Sequence, residues 1–169
     1  MRFYLVGFMG SGKSFWARKW SAGYKFDFYD VDDTIEAMEM KSIVDIFEKK
    51  GELWYRKKEA QVLRELDKFE DCIISCGGGT PCYHDNMDWM NKHGYTIYLK
   101  ADPAFLLENI LKDKERRPLV RNINENELLV FIAQKLEERE VFYQQAQLTL
   151  DANTITEKTF GGILYSLDK

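Results

Sequence analysis

The sequence predicts an α/β fold in which helices cover both faces of a parallel sheet. Three observations support this prediction: short apolar segments alternate with helical patterns along the 169 residues, a glycine-rich turn separates the first apolar segment from the first helical pattern, and no repeat or linker divides the chain. Strands and helices that alternate in this way form parallel sheets with both faces covered. Ligands of such sheets bind beyond the carboxyl ends of the strands, where we expect the functional residues.

The strands are predicted from short runs of apolar, β-branched and aromatic residues. They cover residues 2–6, 25–29, 72–75, 95–99 and 148–150. The helices are predicted from apolar residues that recur every three or four positions. They cover residues 14–22, a segment that begins after Ser42, residues 52–66, 84–92 and 103–111, and a segment whose apolar face is formed by Leu128, Leu129, Ile132, Leu136 and Tyr143.

Polar residues at three places are predicted to begin helices. Ser42, followed three residues later by Asp45, resembles a capping box. Asp102 precedes Pro103, the order that is typical of an N-cap followed by proline at the first helical position. Thr156 is expected to cap a terminal helix.

Length and charge predict a single domain over residues 1–169 that binds neither nucleic acid nor membrane. The chain carries 28 acidic and 24 basic residues, a net charge of −4, and therefore lacks a broad positive field for nucleic acid. The apolar stretch at the N-terminus is too short for a spanning helix, and it runs into a glycine-rich turn rather than a signal-peptide cleavage site. An anionic ligand must therefore be bound by a local cluster of donors.

The cysteines predict a reduced protein of the cytoplasm. Cys72, Cys76 and Cys82 are odd in number and lie within eleven residues, which is a poor disulfide framework. A zinc site would have to combine Cys76, Cys82 and His84, but the spacing offers no CxxC pair and no obvious fourth ligand. Buried or loop thiols are the favoured interpretation.

The most specific motif is GFMGSGKS at residues 7–14, a complete GxxxxGK[ST] match between a predicted strand and a predicted helix. Glycines let the backbone curl so that successive N–H groups converge on phosphate oxygens, and the helix adds its positive N-terminal end. Lys13 would reach the β- and γ-phosphates, and the Ser14 hydroxyl would bind magnesium. The motif therefore predicts that the chain binds a nucleoside triphosphate.

Polar groups at the other strand ends indicate phosphoryl transfer. Asp30 and Asp32 end the second strand, so that one carboxylate could face magnesium while the other accepts a substrate hydroxyl. The alternative is a solvated acidic helix start, because carboxylates also favour helix N-termini. Residues 77–79 are glycines that would expose backbone amides, and Ser75 could hold a magnesium-bound water. Arg56, taken alone, is more typical of a surface arginine.

The same strand ends disfavour two classes of nucleotide hydrolase. A GTPase would add a DxxG motif and an NKxD base reader, but Asn91-Lys92 continues into His93-Gly94. A motor or remodelling ATPase usually ends an apolar strand in an acidic residue, whereas here the strand ends in Ser75 before the glycines.

The motifs, taken in order along nearly the whole chain, resemble the shikimate kinase family of small P-loop kinases. The resemblance is carried by blocks that match the family's phosphate loop, strand-two signature, GExxFRxxE block, triple-glycine segment, lid motif and late substrate-binding arginine, and by a turn that packs on adenine. In this sequence they are GFMGSGKS (7–14), FYDVDDTIE (28–36), GELWYRKKE (51–59), SCGGGTP (75–81), RPLV (117–120), Arg139 with Tyr143, and Asp151-Ala152-Asn153.

The resemblance implies a fold and an activity. The fold would be a three-layer P-loop domain with strand order 2-3-1-4-5, a substrate-binding helical region over about residues 31–66 and a mobile lid over about residues 112–124. The activity would be ATP-dependent phosphorylation of the 3-hydroxyl of shikimate, with Mg²⁺ as cofactor. The enzyme would be a monomer.

The resemblance also implies roles for particular residues. The implied catalytic residues are Lys13, Asp32 and Arg117. The implied ATP-binding residues are Gly10, Ser11, Gly12, Lys13, Ser14, Phe15, Arg117 and Asn153. Shikimate would be bound by Asp32, Arg56, Gly78, Gly79 and Arg139, with Arg56 and Arg139 on its carboxylate, and Mg²⁺ by Ser14 and, through water, Asp30.

The sequence departs from the family pattern at three positions. Phe15 stands where the family generally has threonine, and we expect it to pack under the sheet. Tyr55 replaces the usual phenylalanine before Arg56, and Val120 replaces the second leucine of the lid motif. None of these changes removes a charged or catalytic group.

Two alternatives remain at this point. The first is another small-molecule P-loop kinase, acting on gluconate or a nucleoside monophosphate, and the second is a non-catalytic nucleotide-binding module.

The lid is expected to make few buried contacts without ligand, because residues 112–124 carry five basic side chains and little apolar surface.

Overall fold

The computed structural model describes residues 1–167 and 169, and its centre is a five-stranded parallel sheet. The strands are β1 (Arg2–Val6), β2 (Asp27–Asp30), β3 (Cys72–Ser75), β4 (Tyr95–Lys100) and β5 (Leu148–Asp151). They lie in the order β2-β3-β1-β4-β5, and every pairing is parallel. The predicted fold class and strand order are confirmed.

Eight α-helices connect and cover the strands in the described part of the chain. They are α1 (Lys13–Tyr24), α2 (Val31–Glu39), α3 (Ile43–Lys50), α4 (Glu52–Glu65), α5 (Asn86–His93), α6 (Pro103–Leu111), α7 (Glu125–Tyr143) and α8 (Thr159–Leu167). None of these helices combines the length and the apolar character that a bilayer-spanning segment needs.

The apolar core forms two layers, one on each face of the sheet. Side chains alternate along β1, so that Phe3 and Leu5 enter the layer with Trp20 and Phe160, while Tyr4 and Val6 enter the opposite layer. All four side chains of this strand are fully buried. Burial on both faces explains why β1 reads as a continuous apolar run rather than an alternating one.

The sheet brings three strand ends together at one edge. In the register, Leu5 of β1 lies beside Ser75 of β3, and Ser75 in turn lies beside Asp30 of β2. The phosphate loop (residues 7–14) follows β1 directly and leads into α1. The polar residues that the sequence places at strand ends are therefore neighbours in space.

Three helix expectations need correction. The terminal helix begins at Thr159 rather than after Thr156, because the Thr159 amide donates to the Thr156 carbonyl in a separate turn. The helix expected from residue 84 begins at Asn86, since His84 and Asp85 adopt left-handed backbone conformations, with φ of 51° and 54°.

The third correction concerns the apolar face of α7. Leu128 is fully buried, but its neighbour Leu129 is 43% exposed. Consecutive residues on a helix point about 100° apart, and the buried positions of α7 follow one stripe that leaves Leu129 outside it.

The lid segment (residues 112–124) has a buried anchor that composition did not predict. Val120 is fully buried in the apolar layer that also contains Tyr4 and Val6. Arg121 donates to Glu48 of α3 at 2.9 Å, which ties the segment to a second element. Val120 is the one buried residue of the segment, so the expectation of few buried contacts holds for the other twelve residues.

Asp102 caps α6 as predicted, its carboxylate accepting a hydrogen bond from the Phe105 amide at 2.9 Å. We expect Asp102→Ala to lower the free energy of unfolding by about 1 kcal/mol, because an N-cap side chain satisfies an otherwise orphaned helix donor. Asp102→Asn, which keeps an acceptor, is the matched control in urea denaturation. Equal stability of the two variants would contradict this role of the cap.

Candidate active site

The phosphate loop is folded around glycines that tolerate no side chain. Gly10 has φ of 83°, and a Cβ there would lie 3.1 Å from the Leu106 carbonyl oxygen of α6. Gly12, with φ of 93°, is the N-cap of α1, so the loop's last turn presents free amides at a helix N-terminus. Asn109 of α6 donates to the Gly10 carbonyl at 2.9 Å and fixes the loop from outside.

Lys13 is held inside this loop. Its side chain is 7% exposed, and Nζ donates to the Phe8 carbonyl at 2.8 Å. Burial, followed by the nearby Arg117, lowers the pKa of Lys13 to about 8, and Asp32 and Asp30 oppose this shift. A buried ammonium that faces the loop is suited to compensate charge on a phosphate.

Ser14, Asp30 and Ser75 form an oxygen-rich cluster beside Lys13. Ser14 Oγ donates to Asp30 Oδ2 at 2.6 Å and lies 3.0 Å from Ser75 Oγ. The other oxygen of Asp30 caps α2, accepting from the amides of Asp32 and Asp33. Magnesium is typically held by one or two carboxylate or hydroxyl oxygens together with waters and phosphates, so these residues fit the ion.

Asp32 is the second carboxylate of the predicted pair. The Tyr55 hydroxyl donates a hydrogen bond to its Oδ1. Burial raises the pKa of Asp32 to about 7, with further increases from Glu59 and Asp30, while the Tyr55 hydrogen bond and Lys13 act in the opposite direction. Asp32 thus differs from Asp30 in environment, since Asp30 is fixed by the helix cap and Ser14.

Arg56 is buried rather than a surface arginine. It is 3% exposed, donates from Nη1 to Glu59 at 2.7 Å and donates from Nη2 to Glu52 at 2.9 Å. Glu59 is 1% exposed and also accepts a hydrogen bond from Thr80. Burial raises the pKa of Glu59, and the guanidinium of Arg56 opposes that shift.

The three glycines after β3 let the backbone approach these charged groups. A Cβ on Gly77 would lie 2.6 Å from Glu59 Oε1 and 2.8 Å from Asp32 Oδ1. A Cβ on Gly79 would lie 2.5 Å from Arg56 Nη1. Contacts this short do not occur for real Cβ atoms, so any side chain at either position would displace the charged groups.

Arg139 approaches from α7 on the other side of the glycines. It is 5% exposed, and its Nη1 is buried without a hydrogen-bond partner in the described part of the chain. This atom would lie 3.5 Å from a Cβ on Gly78, whose carbonyl accepts a hydrogen bond from Tyr143. A buried guanidinium nitrogen without a partner is costly unless an anionic ligand supplies one.

The phosphate loop, the carboxylates of Asp30, Asp32 and Glu59, the glycines after β3 and the two arginines Arg56 and Arg139 line one cavity of about 1130 Å³. That volume exceeds the usual upper size of a single small-molecule pocket, which leaves room for a nucleotide and a second ligand. Of the residues predicted from the sequence, it is lined by Gly10, Ser11, Gly12, Lys13, Ser14, Phe15, Asp30, Asp32, Arg56, Gly78, Gly79, Arg117 and Arg139. Of the site residues predicted from the sequence, all except Asn153 therefore line this cavity.

Two predicted residues lie differently from the expectation. Phe15 is 59% exposed at the cavity and contacts Trp16 edge to face, so the prediction that it packs under the sheet is wrong. Asn153 is exposed, and its side-chain amide donates a hydrogen bond to Asp151. The neighbouring Ala152, rather than Asn153, lines the cavity.

Sequence reasoning gave no site role to the polar side chains of Tyr55, Glu59 and Thr80, whereas Tyr143 was named beside Arg139. Glu59 lies in the same quoted block as Arg56, three residues later, and that i, i+3 spacing is the signal that could have revealed the pair. The hydrogen bond between Tyr55 and Asp32 joins residues 23 positions apart, so no local sequence pattern predicts it.

Arg117 lies at the lid side of the cavity, across from the phosphate loop's helix. Its Nε and Nη2 atoms donate to the two carboxylate oxygens of Asp113 at 2.7 and 2.8 Å. The pair is partly exposed, so the Arg117 side chain is available to a ligand at modest cost.

The fold and this cavity define the chain as a P-loop phosphotransferase for a small acceptor. A family model described as shikimate kinase matches residues 9–167. A shikimate kinase of Parabacteroides distasonis is 38% identical over 169 residues, covering 99% of this chain and 98% of its own, and one of Phocaeicola vulgatus is 36% identical, covering 93% and 90%. The chain belongs to the shikimate kinase family.

Solved structures agree with this assignment. The crystal structure of shikimate kinase from Bacteroides thetaiotaomicron superposes with a TM-score of 0.91 at 33% identity, covering 100% of this chain and 99% of that one. The enzyme from Acinetobacter baumannii, in complex with shikimate, gives a TM-score of 0.85 at 29% identity, covering 99% and 92%.

The buried Glu59 generates a stability prediction. We expect Glu59→Ala to lower the free energy of unfolding by about 3 kcal/mol, because it removes one partner of a buried ion pair and leaves Thr80 unpaired. Glu65→Ala, on the exposed side of the same helix, is the control and should change stability by less than about 0.5 kcal/mol. Equal effects in guanidinium denaturation would show that the pair does not stabilise the fold.

Proposed function

We propose that this chain transfers the γ-phosphoryl group of ATP to the 3-hydroxyl of shikimate, giving shikimate 3-phosphate and ADP in aromatic amino-acid biosynthesis. Family membership supports the reaction. Within the site, the observation that carries the proposal is the buried, partnerless Nη1 of Arg139 in the same cavity as the phosphate loop. It calls for an anionic or polar acceptor, and shikimate carries one carboxylate.

Arg56 and Arg139 are proposed to bind that carboxylate from two sides. Arg56 is fixed by Glu59 and Glu52, so its guanidinium is oriented before the ligand arrives. Arg139 keeps unused donor capacity for the ligand. Two oriented guanidinium groups recognise a planar carboxylate with charge-assisted hydrogen bonds, and the amides of Gly78 and Gly79 add donors for hydroxyls.

Asp32 is proposed to accept the hydrogen bond of the 3-hydroxyl. As the hydroxyl oxygen forms its bond to phosphorus, the proton passes to the carboxylate and the bond to the ADP oxygen breaks. A carboxylate whose pKa is raised to about 7 holds a proton more readily than an ordinary aspartate. Asp30, held by Ser14 and the helix cap, is unsuited to this role.

Lys13 and Arg117 are proposed to compensate the charge of the transferred group. Lys13 extends from the loop that cradles the phosphates, and Arg117 approaches from the lid. Ser14 and, through water, Asp30 would hold Mg²⁺, which when bound neutralises charge on the β- and γ-phosphates. Exclusion of water by the lid prevents hydrolysis of ATP in place of transfer.

The remaining ATP contacts belong to the same proposal. Backbone amides of residues 10–15 bind the phosphates, and the turn with Ala152 and Asn153 packs against adenine. The helical region of residues 31–66 binds shikimate, and residues 112–124 close as the lid. The protein acts as a single domain and a monomer in the cytoplasm.

The function is tested by a coupled ADP-release assay in which shikimate, gluconate and nucleoside monophosphates are offered separately as acceptors. We expect turnover with shikimate alone, and phosphorus NMR of the product should place the phosphate on the 3-hydroxyl. Lys13→Met, which keeps the length of the side chain but removes its charge, should lose turnover while circular dichroism stays unchanged. Preference for another acceptor, or no acceptor at all, would refute the proposal.

The carboxylate site is tested by Arg139→Met. Loss of a charge-assisted contact costs about 1.5–3 kcal/mol, so we expect shikimate affinity to fall tenfold or more in calorimetry, with ATP affinity changed much less. Arg18→Met, at an exposed arginine outside the cavity, is the control and should bind both ligands normally. Unchanged shikimate affinity in Arg139→Met, and likewise in Arg56→Met, would overturn the assignment.

The lid is tested by Arg117→Ala. We expect a strong loss of turnover with little change in the thermal midpoint, since the partly exposed pair with Asp113 contributes little to stability. Lys114→Ala, in the same segment but outside the cavity lining, should stay near wild-type activity. Hydrogen exchange should show stronger protection at Leu119 and Asn122 with ADP and shikimate, and equal protection in both states would mean a fixed loop.

A further inference from the structure

Tyr55 makes a contact with the reactive part of the cavity that the proposed function leaves unexplained. Its hydroxyl donates to Asp32 Oδ1, and the side chain is 2% exposed. The ring packs against Phe47 of α3 with 4.8 Å between centroids, which fixes the direction of the hydroxyl. A phenylalanine at this position would keep the ring but could not donate this hydrogen bond.

Asp32 is the least restrained of three neighbouring carboxylates. Glu59 is held by Arg56 and Thr80, and Asp30 is held by Ser14 and by backbone amides of α2. The side chain of Asp32 accepts a hydrogen bond from Tyr55 alone among the residues that the structure describes.

The two acidic side chains nearest the glycines are also close to one another. Oxygens of Asp32 and Glu59 both lie within 2.8 Å of the point where a Gly77 Cβ would stand. Like charges at such separation repel, and a carboxylate without a donor would rotate or move away. The Tyr55 hydroxyl supplies the donor that keeps Asp32 in place.

We propose that Tyr55 is a positioning residue, which anchors Oδ1 of Asp32 so that Oδ2 stays free to accept the hydrogen bond of the acceptor hydroxyl. The inference rests on the proposed function, because it assigns Asp32 the contact with that hydroxyl. A packing role would not need the hydroxyl, because the Tyr55 ring alone fills the space between Phe47 and Arg56. The effect of the hydroxyl must therefore pass through Asp32.

The first test is Tyr55→Phe, which removes one oxygen and keeps the ring. We expect kcat to fall about tenfold, the range of one hydrogen bond, while KM for ATP stays within twofold and KM for shikimate changes less than threefold. The contact matters most as the proton moves, so the loss falls on kcat. Tyr4→Phe is the control, because the Tyr4 hydroxyl is buried, lacks a partner in the described chain and lies outside the cavity.

The second test is a double-mutant cycle with Asp32→Ala, read in single-turnover phosphoryl transfer and in shikimate affinity by calorimetry. If Tyr55 acts through Asp32, Tyr55→Phe should have an effect below 1.5-fold in the Asp32→Ala background. The Asp32→Ala protein should stay folded, because it loses a carboxylate that has acidic neighbours. Single-turnover transfer at excess enzyme decides this test, and calorimetry checks that shikimate still binds in the Asp32→Ala background.

The outcomes separate this inference from the proposed function. A wild-type protein that fails to phosphorylate shikimate refutes the function itself. An active wild type with an equally active Tyr55→Phe variant overturns the role of Tyr55. Equal losses from Tyr55→Phe in both backgrounds, or a matching loss in Tyr4→Phe, would mean that the hydroxyl acts through packing and would also overturn it.

Discussion

The approach of the Gly77–Gly79 backbone to buried charges is the constraint on which the rest of the site depends. Hypothetical Cβ atoms at Gly77 and Gly79 would stand within 2.8 Å of Glu59, Asp32 and Arg56. Because residues 77–79 carry no side chains, the chain leaving β3 can pass between the carboxylates on one side and Arg139 on the other. Asp32 and Glu59 each accept a hydrogen bond from a fixed donor, whereas Nη1 of Arg139 is buried without a partner among the described residues.

The parallel sheet places this charged network beside the phosphate loop. β1 lies between β3 and β4, so the loop after β1 and the glycines after β3 leave the same edge of the sheet side by side. Asp30 at the end of the neighbouring β2 then reaches Ser14 of the loop. The phosphate loop, the two arginines and Asp32 thereby line one continuous cavity.

Local patterns predicted the strands, the phosphate loop and the cap at Asp102, because each depends on residues close in sequence. The resemblance to the family added Arg56, Arg117 and Arg139, which also line the cavity. The misses depend on tertiary contacts. The burial of Val120 and the Tyr55–Asp32 hydrogen bond arise only when distant segments pack together, and no periodicity encodes them. Phe15 was misplaced because its apolar character suggested burial, whereas the turn into α1 directs it to the cavity mouth.

The central claim is that two buried arginines and Asp32 orient one small acid against the phosphate loop. A crystal structure of the protein with shikimate and a non-hydrolysable ATP analogue tests it most directly. The account predicts that the shikimate carboxylate lies within about 3.2 Å of both Arg56 and Arg139, with the 3-hydroxyl toward Asp32 and the γ-phosphate. A carboxylate bound away from both arginines, or a different hydroxyl facing the phosphate, would contradict it.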